Sequence, residues 1–163
     1  IVGAELEVTA IPVPGLNLTF GGTLLDTKID EYDLGPFSGT EANGDYTGNK
    51  LNQVPKWSVN AAIQYTADLS NGARIIPRFD ISGSGGDYYW EIDNLAKRDT
   101  VWLANARLSY QADRYEVSLF ANNLFNAEYD IEYVPRSFSG VNGVGIGARN
   151  MPRQIGVAAK VSF

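Results

Sequence analysis

Hydrophobic and polar residues alternate along the end of the chain, over residues 152–163. Ile155, Val157, Ala159, Val161 and Phe163 share one phase, and small or polar residues occupy the other. A period of two is typical of a β-strand whose two faces meet different surroundings. The same alternation recurs near residues 6–10, 16–24, 57–66, 74–82, 102–110 and 115–122. The pattern therefore predicts an all-β protein with about seven antiparallel strands and no helix.

The connections between these segments alternate between short and long. Because consecutive antiparallel strands run in opposite directions, all the short connections fall at one end of the sheet. Outer-membrane barrels have short periplasmic turns and long extracellular loops, whereas soluble sandwiches usually mix the two lengths. The connections therefore favour a transmembrane antiparallel β-barrel. The short ones lie near residues 12–15, 69–72 and 112–113, and the long ones near 30–54, 87–99 and 128–150.

Aromatic residues on the apolar phase are spaced as two membrane interfaces would require. Two strands each carry a Trp and a Tyr eight residues apart, namely Trp57 with Tyr65 and Trp102 with Tyr110. At about 3.3 Å per residue and a tilt near 40°, this spacing covers roughly 20 Å, slightly less than the apolar band of about 25 Å between aromatic girdles. We expect Tyr115 and Phe163 to join the lower girdle. The alternative interpretation places these rings in the core of a soluble sandwich.

The opposite phase of the strands carries charged residues. A sandwich core would not tolerate them, but the water-filled lumen of a barrel would. We therefore expect these side chains to face a lumen. They are Arg74, Arg78, Asp80, Arg107, Glu116 and Lys160.

Composition excludes several classes of function. The 163 residues contain no Cys and no His, which removes disulfides, thiol chemistry and the commonest transition-metal ligands. A net charge of −6 argues against a nucleic-acid partner. No apolar run approaches the roughly 18 residues of a membrane-spanning helix. The chain begins at Ile1 without a charged and apolar leader, which we interpret as processing or as part of a longer polypeptide.

Candidate chemistry is sparse. No arrangement of acids, Ser and Lys suggests catalysis, so we expect no enzyme, no cofactor and no metal site. The segment 83–86, Gly-Ser-Gly-Gly, is not interpreted as a phosphate-binding loop, because no Lys or helix follows it. We interpret it as a strand irregularity. Pro77 lacks the N–H that a ladder needs and predicts a bulge or local break. An acidic loop offers oxygen ligands for calcium, but it lacks the EF-hand spacing, so a solvated loop is the preferred interpretation. Its oxygen-bearing residues are Asp30, Glu31, Asp33, Glu41, Asn43 and Asp45.

Three further signatures occur in order along the chain. They are GNKL at 48–51 with VPK at 54–56, NNLFNAEY at 122–129, and PR at 152–153 followed by Gly156 and the terminal Phe163. With these signatures the chain resembles, over essentially its whole length, the carboxy-terminal part of a TonB-dependent outer-membrane receptor. The resemblance implies a barrel of about 22 strands around an amino-terminal plug, of which residues 1–163 supply about the last seven strands. The plug and the TonB-contacting segment lie outside this sequence.

The resemblance also implies a function. Receptors of this family actively import scarce nutrients such as ferric siderophores, cobalamin, haem or glycans, with energy delivered through TonB. A passive porin-like or structural outer-membrane barrel is the alternative, and a soluble β-sandwich binding module is the less favoured one. A sheet of seven strands has two unpaired edges in the membrane, so we expect the rest of the same barrel to close it.

Individual residues carry further expectations. Arg74, Arg78 and Arg107 contact plug carboxylates or an anionic substrate, or they line a water-filled lumen. Phe163 resembles the signal that the barrel-assembly machinery reads, or it is a simple membrane anchor. Arg153 lies at the extracellular headgroup level, where it binds lipopolysaccharide phosphates or ties down the preceding loop.

Overall fold

Ten β-strands make up the regular structure in the computed structural model, which describes residues 1–32, 45–134 and 145–162. None of these residues forms a helix long and apolar enough to cross a membrane. The strands are β1 (Val2–Ala10), β2 (Leu16–Asp26), β3 (Trp57–Tyr65), β4 (Ala67–Asp68), β5 (Arg74–Gly85), β6 (Val101–Ala112), β7 (Tyr115–Asn122), β8 (Asp130–Val134), β9 (Ile146–Arg149) and β10 (Gln154–Val161).

Seven long strands form one antiparallel sheet in the order β1-β2-β3-β5-β6-β7-β10, and the short β4 pairs with β5 beyond the end of β3. These are the segments that the alternation of residues predicts, so the all-β antiparallel prediction is confirmed. The links 11–15, 69–73 and 113–114 lie at one end of the sheet, called here the short-turn end. The links 27–56, 86–100 and 123–153 lie at the other, the long-loop end.

The register brings the apolar phases of all seven strands onto one face. Along one row, Val8 pairs with Phe20, Phe20 with Ala61 and Ala61 with Ile81. Along another, Leu108 pairs with Leu119 and Leu119 with Val157. We call this the apolar face and the other the polar face. Many large side chains of the apolar face are exposed, and Val157 keeps 69% of its surface accessible. A face of this kind does not pack on a core within the described residues.

Pro77 interrupts pairing without shifting it. The last β3–β5 pair is Gln64 with Arg78, and pairing resumes at Ala67 with Ile75 in the same register. On the other side, Pro77 pairs with Leu108 in an unbroken ladder. Because proline donates no N–H, the ladder opens on one side alone. The expected local break is therefore present, and it is not a bulge.

The segment Gly83–Gly85, expected to be irregular, is regular strand. Gly83 and Ser84 pair in register with β6, and the chain departs from the strand only at Gly86, which has φ of +85°. Glycine is needed at Gly83 for another reason: a Cβ there would lie 2.6 Å from the Trp102 ring on the neighbouring strand. The irregularity is limited to the end of β5.

Among the described residues, large buried side chains are few and gather at the long-loop end. Ile29, Tyr46 and Trp90 are buried in the long links, and Val101 is buried at the first position of β6. The link between β7 and β10 contains the hairpin of β8 and β9, which the sequence did not predict. The sheet is thus a two-faced wall with a packed layer of loops at one end.

Candidate functional site

The six charged residues predicted to share one phase lie on the polar face. Arg78 donates through Nε and Nη2 to Asp80, two residues along β5. At the short-turn end, Arg74 donates through Nε to Asp68 at 3.1 Å. Glu116 is the register partner of Lys160, and Ser118 donates to Glu116 at 3.3 Å.

Arg107 differs from the other two arginines of this face. Its register partner on β5 is Arg78, so two guanidinium side chains sit directly opposite each other. Its guanidinium carbon lies 5.6 Å from the centre of the Phe120 ring. Within the described residues Arg107 forms no ion pair, whereas Arg74 and Arg78 each have a carboxylate. Arg107 is therefore the arginine of this set whose charge no described residue balances.

The predicted girdle residues lie on the apolar face at two levels. Near the long-loop end, the Trp57 and Trp102 rings are 5.5 Å apart and meet across β5, where Gly83 leaves room for the Trp102 ring. Tyr65, Tyr110 and Tyr115 lie at the short-turn end, where each is exposed. Phe163 lies outside the described residues. This placement agrees with the spacing argument, and the membrane contact itself stays a prediction.

Two of the long links are joined by a reciprocal pair of hydrogen bonds. Lys50 N–H donates to Asn94 Oδ1 at 2.7 Å, and Asn94 Nδ2 donates to the Lys50 carbonyl at 3.0 Å. Asn49 Nδ2 donates to the Ile92 carbonyl at 2.8 Å. Asn94 has φ of 59°, a conformation that asparagine tolerates better than most residues. Part of the GNKL signature therefore holds the first long link against the second.

Electrostatics in these links follow from the same contacts. Lys50 Nζ lies 2.6 Å from Asp26 Oδ1, and this hydrogen bond raises the pKa of the Lys50 amine. Burial raises the pKa of the Glu91 carboxyl, and the neighbouring Asp93 charge adds to the shift. Of the acidic loop, Asp33, Glu41 and Asn43 lie outside the described residues. A hydrogen bond from the Thr47 hydroxyl, and after it the one from Thr47 N–H, lowers the pKa of the Asp45 carboxyl. Among the described residues no cluster of acids is suited to hold a metal ion.

Arg98, which the sequence reasoning did not single out, is held over the polar face by three contacts. Its Nη2 donates to Ser84 Oγ at 2.8 Å, and its backbone N–H donates to the Tyr88 carbonyl at 2.9 Å. Its guanidinium carbon lies 3.8 Å from the centre of the Tyr88 ring. Trp90 continues this aromatic cluster, with ring centres 5.3 Å from Tyr88 and 6.1 Å from Tyr133 of β8.

Two recesses share Arg98. One, of about 300 Å³, we call the serine recess. Its polar lining consists of Ser58, Asn60, Ser82, Ser84, Arg98 and Tyr129. The other, of about 280 Å³, we call the mixed-charge recess, because it carries Lys97, Arg98 and Arg149 together with Asp99, Glu128 and Asp130. Both lie toward the long-loop end of the sheet.

The NNLFNAEY segment folds as a turn that fixes the start of β10. Asn123 is buried, and its side chain bonds the backbone of Ala127 and the carbonyl of Met151. Asn126 Oδ1 accepts from Arg153 N–H at 2.8 Å. Both asparagines have positive φ, 49° and 55°. Within the described residues the exposed Arg153 side chain makes no hydrogen bond or ion pair, so the backbone of Arg153, and not its guanidinium, is what the turn holds.

Comparison with known proteins agrees with this architecture. A family model described as TonB dependent receptor-like, beta-barrel, matches residues 1–124. The pesticin receptor of Yersinia pestis is 25% identical over 163 residues, which is 99% of this chain and 22% of that receptor.

Solved structures show the same fold. The ferric yersiniabactin uptake receptor of Yersinia pestis superposes with a TM-score of 0.78 at 22% identity, over 99% of this chain and 23% of that one. The siderophore receptor PiuA of Acinetobacter baumannii gives a TM-score of 0.66 at 17% identity, over 96% and 21% of the two chains. The ferric preacinetobactin receptor of the same species gives 0.64 at 20% identity, again over 96% and 21%.

The antiparallel sheet of this chain, with one apolar and one polar face, has the fold of part of a β-barrel wall in these receptors. The chain belongs to the TonB-dependent receptor family. It spans about a fifth of the length of the relatives it matches, 22% for the pesticin receptor.

Proposed function

We propose that this chain is the carboxy-terminal wall segment of an outer-membrane receptor of about 22 strands that imports a ferric siderophore, with energy delivered by TonB. The observation that carries the proposal is the family match over residues 1–124, joined to a sheet whose apolar face is exposed across seven strands. Three solved relatives are named as receptors for siderophores or their ferric complexes. Their names make ferric siderophores the nutrient class proposed here.

Each face of the sheet has its own role in the barrel wall. The apolar face meets lipid, with Trp57 and Trp102 at the outer interface and Tyr65, Tyr110 and Tyr115 at the inner one. The long-loop end is extracellular. The unpaired edges of β1 and β10 continue into the rest of the barrel, since unsatisfied backbone groups are costly in hydrocarbon. The assembly machinery reads the terminal strand that Phe163 ends.

The polar face surrounds the plug. Arg74 and Arg78 already have carboxylate partners in the wall. Of the three arginines that the sequence predicted to face the lumen, Arg107 lacks a carboxylate partner within the described residues and lies opposite Arg78, so it is the one that contacts a plug carboxylate. The sequence offered three arginines as contacts of the plug, and we propose Arg107 alone.

A deletion experiment in the source bacterium tests the function. Cells lacking the gene for the native polypeptide that contains this chain should fail to take up radioactive iron from ferric complexes in their own iron-starved culture medium. Complementation should restore uptake in a tonB-positive strain and not in a tonB-null strain. Uptake that persists in the deletion strain, or that does not depend on TonB, contradicts the proposal.

The intact mass of the native polypeptide provides an independent check. A plugged receptor is roughly four to five times as long as this chain, as the coverage of 22% implies. A passive porin-like barrel would be shorter and would lack TonB dependence. A native polypeptide close to 17.8 kDa would therefore exclude the receptor.

A further inference from the structure

The clearest unassigned feature of the molecule is the guanidinium of Arg98. Its Nε is buried, yet within the described residues it has no hydrogen-bond partner. Arg98 also forms no ion pair there, because the ion pairs of the described residues involve other cations. A buried donor left without an acceptor opposes folding, so such a group calls for a functional explanation.

The geometry points to an oxyanion-binding subsite in the serine recess, in which Arg98 receives the carboxylate or similar small anionic group of a ligand that enters from the long-loop end. The guanidinium is already oriented by Ser84 Oγ and by the Tyr88 ring. Because its position is set beforehand, little side-chain entropy is lost when an anion binds. Its planar fork suits a carboxylate through two parallel hydrogen bonds.

The two recesses differ in the charges of their lining residues. In the serine recess, Arg98 is the one charged residue of the described lining, and the hydroxyl groups of Ser58, Ser82 and Tyr129 and the amide of Asn60 add neutral donors. In the mixed-charge recess an anion would meet three carboxylates, two of which already lie within 4.0 Å of Arg149. The serine recess is therefore the favourable location for an anionic group.

The size of the serine recess limits the ligand. About 300 Å³ is at the lower end of the range for small-molecule sites. It accommodates one anionic arm of a larger ligand, with the remainder outside the recess. This inference deepens the proposed function, because it gives the imported ligand a negatively charged group. It rests on the proposed function only for the statement that this ligand is the imported one.

Binding of a minimal probe tests the subsite without any transport. We suggest 4-fluorobenzoate as the anion, observed by fluorine NMR with the native polypeptide purified in detergent. The neutral isostere 4-fluorobenzamide is the control for burial of the ring. Saturable binding of the carboxylate, with at least about tenfold weaker binding of the amide, is the expected result.

Substitutions assign the binding to Arg98. Arg98→Gln should weaken binding of 4-fluorobenzoate about tenfold or more, and Arg98→Lys should retain part of it, since the charge remains and the fork is lost. Arg74→Gln is the matched control, because Arg74 is a polar-face arginine at the short-turn end with its own carboxylate. It should leave binding unchanged. If the glutamine variant does not fold, the lysine variant, which keeps the charge, still tests the role of Arg98.

The outcomes separate this inference from the proposed function. No saturable binding of 4-fluorobenzoate to the wild-type protein, or equal binding by wild type and Arg98→Lys and Arg98→Gln variants, overturns the subsite. Loss of binding in Arg98→Gln supports it even if iron uptake proves independent of TonB. Conversely, TonB-dependent uptake that is unchanged in a protein with no anion binding leaves the function standing and removes the subsite.

Discussion

The two faces of the main sheet share one backbone ladder, but apolar side chains cover one face and polar side chains cover the other. On the apolar face, side chains such as Leu119 and Val157 remain exposed, and no second layer of the described residues covers them. On the polar face, Ser109 and Ser118 are buried and their hydroxyl groups lie 2.7 Å apart. The comparison shows that burial within this segment does not identify its hydrophobic surroundings, because under the proposed function lipid supplies those surroundings.

The largest expected effect comes from placing one charge on each face. Val157→Arg should destabilise the folded barrel by about 2–4 kcal/mol, because the side chain would enter the hydrocarbon. Ala158→Arg is the matched control on the next residue of β10, and its cost should be small since that phase meets water. Ala106→Arg repeats the test within the sheet. Unfolding and refolding in lipid vesicles measures the difference, and equal tolerance at both phases would contradict the assignment of faces.

Each face also has a glycine beneath an aromatic ring of the neighbouring strand. A Cβ at Gly83 would lie 2.6 Å from Trp102 on the apolar face, and a Cβ at Gly156 would lie 2.6 Å from Phe120 on the polar face. Gly83→Val and Gly156→Val should each cost about 1–3 kcal/mol through overpacking.

Near-ultraviolet circular dichroism should distinguish these two glycine variants. Gly83→Val should alter the tryptophan signal, because Trp57 and Trp102 are in contact. Gly156→Val should leave that signal unchanged while it displaces Phe120 from Arg107. A changed tryptophan signal in Gly156→Val, or an unchanged one in Gly83→Val, would show that the rings do not pack as described.

A smaller effect is expected from the charge pair on the polar face. Asp80→Asn removes the carboxylate of Arg78 and leaves two arginines opposite each other, which should cost about 0.5–1 kcal/mol at low salt. Asp68→Asn is the control, because its partner Arg74 lies opposite the neutral Gln111. Its cost should be near zero. Stability measured at low and high salt tests this, and a cost for Asp80→Asn that salt does not reduce would rule out charge repulsion.

The smallest effect on stability is expected at Arg153, at the long-loop end of the sheet and immediately before β10. Its side chain is free of the described residues, and its backbone N–H is held by Asn126. Arg153→Ala should therefore leave the unfolding free energy within about 0.5 kcal/mol of wild type. If the guanidinium binds lipopolysaccharide phosphate, the lipid that copurifies should fall with Arg153→Ala and only partly with Arg153→Lys.

The rival role of Arg153 has a separate readout. If its side chain ties down the link between β7 and β10, protease cleavage within 128–150 should increase in both Arg153 variants. Asn126→Ala is the positive control, because it removes the hydrogen bond to the Arg153 N–H. Unchanged lipid retention together with unchanged cleavage would exclude both roles for the guanidinium.

The sequence alone was sufficient for the seven long strands, their two faces and the two ends of the sheet. A period of two is a local property, so Ile155 and Val157 reveal their common phase without any knowledge of a partner strand. The same reasoning placed Trp57 and Trp102 at one level. It also located the break at Pro77, because the missing N–H belongs to the residue itself.

Tertiary structure alone decided which residues of the long links meet. The reciprocal bonds of Lys50 and Asn94 join residues 44 positions apart, and the Ser84–Arg98 contact bridges two ends of a loop. Arg98 follows no periodic pattern, so nothing in the sequence singled it out among the other cations. The β8–β9 hairpin was missed because its strands are short and its pairing contains a register shift. The physical reason is that alternation specifies the solvent each side chain meets, while the contacts of a loop depend on where the whole sheet places its ends.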